Sequence, residues 1–123
     1  MEHGFIKTAA VTPKIKVADP AYNGAAICQG IREAYDKGAR ILVFPELCLT
    51  GYTCGDLFLQ GRLLEEALIR LQEITSYTAG MAALIFVGLP LEKDGKLYNG
   101  AAVISDGRLL AFIPKRYIPA YGE

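Results

Sequence analysis

The sequence predicts an α/β fold, a mixed sheet with two helices on one face. Two observations carry this. Apolar runs of strand length alternate with two stretches of helical period as far as residue 89, and two Asp-Gly dipeptides then divide further β-prone runs into hairpins. A β-α-β-α-β start that turns into a meander gives a mixed sheet, not a purely parallel doubly wound one.

Phe5 to Val11 reads as the first strand. Asp19-Pro20 then supplies an N-cap and a proline at the first helical position, Ile27, Ile31, Ala34 and Tyr35 recur at helical spacing, and Gly38 offers a stop. Arg40 to Phe44 is short and continuously apolar, as in a strand covered on both faces. It leads through Pro45 into Glu46 and the stretch FPELCLTGYTCGD, residues 44–56. Leu63, Leu64, Ala67, Leu68, Leu71 and Ile74 mark one face of a second helix, with Glu65, Glu66, Arg70 and Glu73 largely elsewhere and Gly80 after it. Ala83 to Leu89 is the third strand. Asp94-Gly95 and Asp106-Gly107 set off Leu97 to Ile104 and Leu109 to Ile113 as the fourth and fifth. No helix remains for the other sheet face, and residues 114–123 read as a loop without a strand partner, so the chain looks cut.

Composition narrows the function. A chain of 123 residues is one domain at most, so 1–123 is read as a single partial domain. Thirteen Lys and Arg balance thirteen Asp and Glu without charge blocks, which argues against nucleic acid or an acidic membrane as partner. Apolar residues at 52% and charged ones at 21% tilt toward a face meant for a partner or for further chain. No window is long and apolar enough for a membrane span and the N-terminus lacks a signal-peptide pattern, so a cytoplasmic location is expected. Cys28, Cys48 and Cys54 are an odd number without C-x-x-C spacing, and His3 is the only histidine. Reduced thiols and no metal are expected.

The chemistry gathers at two prolines. Sites in α/β sheets lie outside the carboxyl ends of strands, and Pro45-Glu46 and Pro114-Lys115 are read as matching placements just past two such ends. A carboxylate and an ammonium brought together there hold each other charged, and partial burial suits the acid to general-base work. On pattern alone, a strand-end ion pair or two solvated side chains rank ahead of catalysis.

FPELCLTGY, DLFLQ, FVGLP, the Tyr98-Asn99 strand and PKRYIPAYGE, in this order, resemble the nitrilase (carbon–nitrogen hydrolase) superfamily over nearly the whole chain. The resemblance implies the N-terminal portion of a nitrilase-like α-β-β-α sandwich and a Glu-Lys-Cys triad. LTGYTCGDLFLQ before a Leu-rich helix, with KRYIPAYGE later, is similar within the superfamily to the glutaminase domain of the glutamine-dependent NAD synthetase group. Carried over by motif, Glu46 is the general base and Lys115 the triad lysine, Tyr52 and Tyr121 line the glutamine pocket, and Glu123 stands where many members have a second glutamate. Base and lysine suit amide hydrolysis, which needs a deprotonated nucleophile and positive charge near the oxyanion.

The triad cysteine belongs several tens of residues beyond the lysine, at a strand-to-helix turn. The chain ends eight residues after Lys115, and by motif neither Cys28, Cys48 nor Cys54 can take the role. The expectation is therefore a fragment inactive alone, whose complete form releases ammonia from glutamine to amidate nicotinic acid adenine dinucleotide. No cofactor is expected in this domain, with ATP and magnesium confined to a separate synthetase domain, and the complete protein is expected to form homo-oligomers. The alternatives are another amidase of the superfamily or a non-catalytic association module. A flavodoxin-like nucleotide binder is disfavoured, since no G-x-G-x-x-G or Walker A loop occurs.

Overall fold

Asp19 begins the first helix as its place before Pro20 implies. Its Oδ1 accepts from the Tyr22 backbone N–H at 3.0 Å, and α1 (Pro20–Asp36) runs on until Gly38 turns out of it at φ +95°. The computed structural model describes residues 4–46, 48–51 and 57–118, with side chains 57–60 and 116–118 outside that description. Its remaining elements are β1 (Thr8–Ala10), β2 (Ile41–Val43), α2 (Leu57–Tyr77), β3 (Leu84–Lys93), β4 (Lys96–Ser105) and β5 (Arg108–Ile118).

The five strands form one sheet in sequence order. β1, β2 and β3 pair in parallel, β3 with β4 and β4 with β5 antiparallel, so β5 runs in the direction of β1–β3. Both hairpins turn on the expected dipeptides, with Asp94 and Gly95 at φ 55° and 76° and Asp106 and Gly107 at 49° and 75°. Consecutive positive φ values define the two-residue turn whose twist matches the strands it joins. The second hairpin is tied to the end of α2, since Asp106 Oδ1 accepts from Gly80 N–H at 2.7 Å and Thr78 Oγ1 from Gly107 N–H at 2.9 Å.

The core lies between the helices and one sheet face. Ile27 and Ile31 of α1 and Ala67, Leu71 and Ile74 of α2 meet Leu42, Ile85, Val87, Leu89, Ala102 and Ile104. Alternation along β3 then puts Phe86 on the opposite face in register with Val43, and Ala101 there with Ile113. Val43 and Ile113 are 47% and 52% exposed, so this face is partly open among the described residues, as anticipated.

The strand ends differ most from expectation in three strands. β3 runs on past Leu89 to Lys93, because β4 pairs with it back to Lys96. β1 is shorter than Phe5 to Val11, because β2 offers it only Ile41 to Val43 before Pro45. β5 is longer than Leu109 to Ile113. Residues 114–118 are strand rather than loop, paired with Leu97 to Gly100 of β4; Pro114 is tolerated because β5 is an edge of the described sheet.

Candidate functional site

Glu46 sits on a short turn directly after β2. Phe44 N–H still donates to Phe86 O at 2.9 Å, and Cys48 N–H closes back on Pro45 O at 3.2 Å. Leu49 N–H then returns to Gly88 O at 3.1 Å. The turn is therefore stitched to β3 on both sides of the carboxylate. Asn23, fully buried on α1, adds a clamp: its Oδ1 accepts from Lys16 N–H at 2.7 Å, and its Nδ2 donates to Lys16 O at 2.8 Å and Leu49 O at 3.0 Å. One amide thus ties the segment before α1 to the chain after Glu46. Ala18 N–H adds a bond to Thr50 O at 2.7 Å.

Lys115 arrives by a different device from the one expected. It lies inside β5, not beyond its end. Arg116 is paired with Asn99 and Pro114 with Gly100, which leaves Lys115 as the extra residue of a β-bulge. A bulge re-aims the side chain it inserts. Gly100 makes the crossing possible, since a Cβ there would lie 2.4 Å from Ile113 O and 2.6 Å from the Phe112 ring.

The two predicted residues do meet. Lys115 Nζ lies 2.8 Å from Glu46 Oε1, with the lysine side chain 61% and the glutamate side chain 27% exposed. Asn99, 1% exposed on β4, donates from Nδ2 to Glu46 Oε2. Three elements converge on one carboxylate at the carboxyl ends of the parallel strands, with both oxygens held by donors. A carboxylate so held is positioned to take a proton, beside a cation able to face developing negative charge.

Of the described cysteines, Cys28 and Cys48, neither contacts Glu46 or Lys115 in the site. Cys48 is fully buried, its Sγ donates to Gly88 O at 3.7 Å, and burial pushes its thiol up to about 12. Cys28, half-buried against the core, is raised to about 11 by burial and then by Glu73. Neither is a thiolate near neutrality. Tyr52, Tyr121, Glu123, Cys54 and His3 lie outside the described residues. Among the described residues no group of His, Cys, Asp and Glu could hold a metal, and no helix is long and apolar enough to cross a membrane.

Sequence reasoning missed Asn99, Asn23 and Gly100. Asn99 had a signal, a lone amide inside the apolar run Leu97 to Ile104. Asn23 had none, because its partners are backbone groups of segments that only the fold brings together.

Residues 7–118 match the family Carbon-nitrogen hydrolase. The chain is 38% identical over 122 residues to the glutamine-dependent NAD(+) synthetase of Mycobacterium tuberculosis, covering 99% of this chain and 18% of that protein. It is 37% identical over 94 residues to the synthetase of the same name from Thermotoga maritima, covering 76% and 16%. A glutamine-dependent NAD(+) synthetase crystal structure from Cytophaga hutchinsonii superposes with TM-score 0.82 at 30% identity, over 93% of this chain and 19% of that one. An amidase from Nesterenkonia sp. shares the fold, with TM-score 0.72 at 24% identity over 89% of this chain and 42% of the amidase. The chain spans about a fifth (18%) of the M. tuberculosis synthetase.

Proposed function

The chain belongs to the carbon–nitrogen hydrolase family and is homologous to glutamine-dependent NAD(+) synthetases, and on that premise we propose that it is the N-terminal part of a glutamine amidohydrolase unit. Glu46 is the general base and Lys115 the cation of the site. The observation that carries this reading is the contact between Glu46 and Lys115, 69 positions apart in sequence and 2.8 Å apart in space.

In this reading, Oε1 of Glu46 takes the proton of a thiol as its sulfur attacks the amide carbon of glutamine. The Lys115 ammonium stands beside the oxyanion that forms; Glu46 returns its proton to the amide nitrogen, and collapse breaks the C–N bond, expels ammonia and leaves a thioester for water to cleave. The thiol is assigned to chain beyond residues 1–123, because by motif none of Cys28, Cys48 and Cys54 takes the role, and burial keeps the first two protonated. Tyr52 and Tyr121 are assigned to the glutamine pocket and Glu123 to the second-glutamate position. The freed ammonia serves amidation of nicotinic acid adenine dinucleotide at a separate ATP- and magnesium-dependent domain.

The test is ammonia release from glutamine by the full-length protein that carries this chain. Glu46→Gln and Lys115→Met each abolish it, whereas residues 1–123 alone give no more than a buffer blank. Release by the 123-residue chain that Glu46→Gln removes would overturn the assignment of the nucleophile.

A second reading rests on Val43, Leu109, Leu110 and Ile113, all about half exposed. They would serve an association surface with no catalysis. A compact monomer in sedimentation counts against it.

A further inference from the structure

Among the described residues the carboxylate of Glu46 takes one contact on each oxygen, a charged one from Lys115 and a neutral one from Asn99. We propose that Asn99 is a positioning residue for Glu46: its amide pins the inner oxygen Oε2 to β4, so that the base works through its outer oxygen Oε1, beside Lys115. The inference rests on the reading of Glu46 as base and adds how that base is aimed.

The position is chosen for the contact, not for packing. Asn99 lies in an otherwise apolar run and is 1% exposed, an environment in which an amide is costly unless its hydrogen bonds are met. Only half of it is met. Nδ2 donates to Glu46, while Oδ1 has no hydrogen-bond partner among the described residues. A leucine of similar volume would leave no orphan oxygen. Among the described residues the amide thus carries an unmet acceptor while keeping a donor on the carboxylate. The reverse orientation of the amide would set Oδ1 against the carboxylate and is electrostatically unfavourable, so Nδ2 is the donor.

Asn99 also supplies what the lysine cannot. Lys115 reaches Glu46 on a long side chain that is 61% exposed, and one contact to one oxygen leaves the carboxylate free to swing about it. A second contact from a buried, short side chain on another strand fixes the carboxylate plane. A neutral donor does so without setting a second cation against Lys115, and an aspartate there would add a like charge instead. A donor to Oε2 favours the ionised form, in the same sense as Lys115 on Oε1.

The experiment uses the full-length protein with Asn99→Leu, alone and combined with Glu46→Gln. In the Glu46 background, kcat for ammonia release falls at least about tenfold with KM within about threefold, and the acid limb of kcat/KM moves up by about one pH unit. With Glu46→Gln present, Asn99→Leu removes nothing further from the residual rate. Equal losses in both backgrounds, a change in KM alone, or an unmoved acid limb would overturn the proposal. Where Asn99→Leu does not fold, Asn99→Asp, of the same shape, takes its place, and its like charge must move the acid limb in the same direction. If the wild-type protein releases no ammonia from glutamine, the reading of function fails. The positioning claim is then decided by carbon-13 titration of the Glu46 carboxylate, which Asn99→Leu must shift up by about one unit. No shift would sink it.

Discussion

Gly100→Ala is the sharpest test of how the lysine is delivered. The added Cβ would stand 2.4 Å from Ile113 O, with Phe112 ring atoms at 2.6 and 2.8 Å. Ordinary contact begins near 3.4 Å, so β5 must retreat by 3.4 − 2.4 = 1.0 Å from a backbone atom that has no rotamer to change. Lys115 is the bulged residue opposite the Asn99/Gly100 step, so the retreat falls on the segment that carries it. A contact of 2.8 Å lengthened by that amount exceeds 3.5 Å and is no longer a hydrogen bond. Overpacking of this kind costs about 1–3 kcal/mol, and a misplacement of about 1 Å at a site costs on the order of a hundredfold in rate. Urea unfolding of the variant reads the first, and ammonia release by the full-length protein the second. Gly61→Ala is the control, in α2 with nothing within 4 Å of its Cβ position, and should stabilise by about 0.5–1 kcal/mol. A Gly100→Ala protein within about 0.5 kcal/mol of wild type and fully active would refute the account of the bulge.

Asn23→Leu leaves Lys16 N–H, Lys16 O and Leu49 O without their side-chain partner and should cost about 3 kcal/mol in urea unfolding, with glutamine hydrolysis falling as the Glu46 turn loosens. Lys115→Met should change stability by less than about 1 kcal/mol, because the pair is partly exposed, yet remove at least about 99% of activity; a large stability loss would make the pair structural. The thiols of Cys28 and Cys48 predict an alkaline slope. Their folded values, about 11 and about 12, exceed the unfolded 9.0, so above pH 9 the unfolded chain sheds protons first. Stability intact below pH 9 is then lost as pH rises toward 11–12, by about 1.4 kcal/mol per unit for each thiol. Stability curves of Cys48→Ala and wild type between pH 9 and 11 should differ by one such slope, and parallel curves would show that Cys48 is not buried as described.

Much of the fold was legible because it is written in local terms. Asp19-Pro20 announces a helix start, Asp94-Gly95 and Asp106-Gly107 announce turns that need positive φ, and the periods of 3.6 and 2 sort helices from strands. Glu46 and Lys115 were legible as a pair through motifs beside prolines, which also suggested the wrong local setting for the lysine. Pro114 reads as a strand end, yet an edge strand has no need of that N–H on its open side, so β5 continues through it to Ile118.

The sequence by itself determined the order of elements, the hairpins, the family likeness and the identity of the two charged side chains, since each depends on neighbours within a few positions or on motif order. Tertiary structure alone decided that Lys115 enters from a bulge, that Gly100 makes room for it, that Asn99 holds the second oxygen of Glu46 and that Asn23 ties down the turn. The physical reason is common to all four. Bulges and buried amides are satisfied across strands and segments far apart in the chain, and no local pattern records which partner the register will bring opposite.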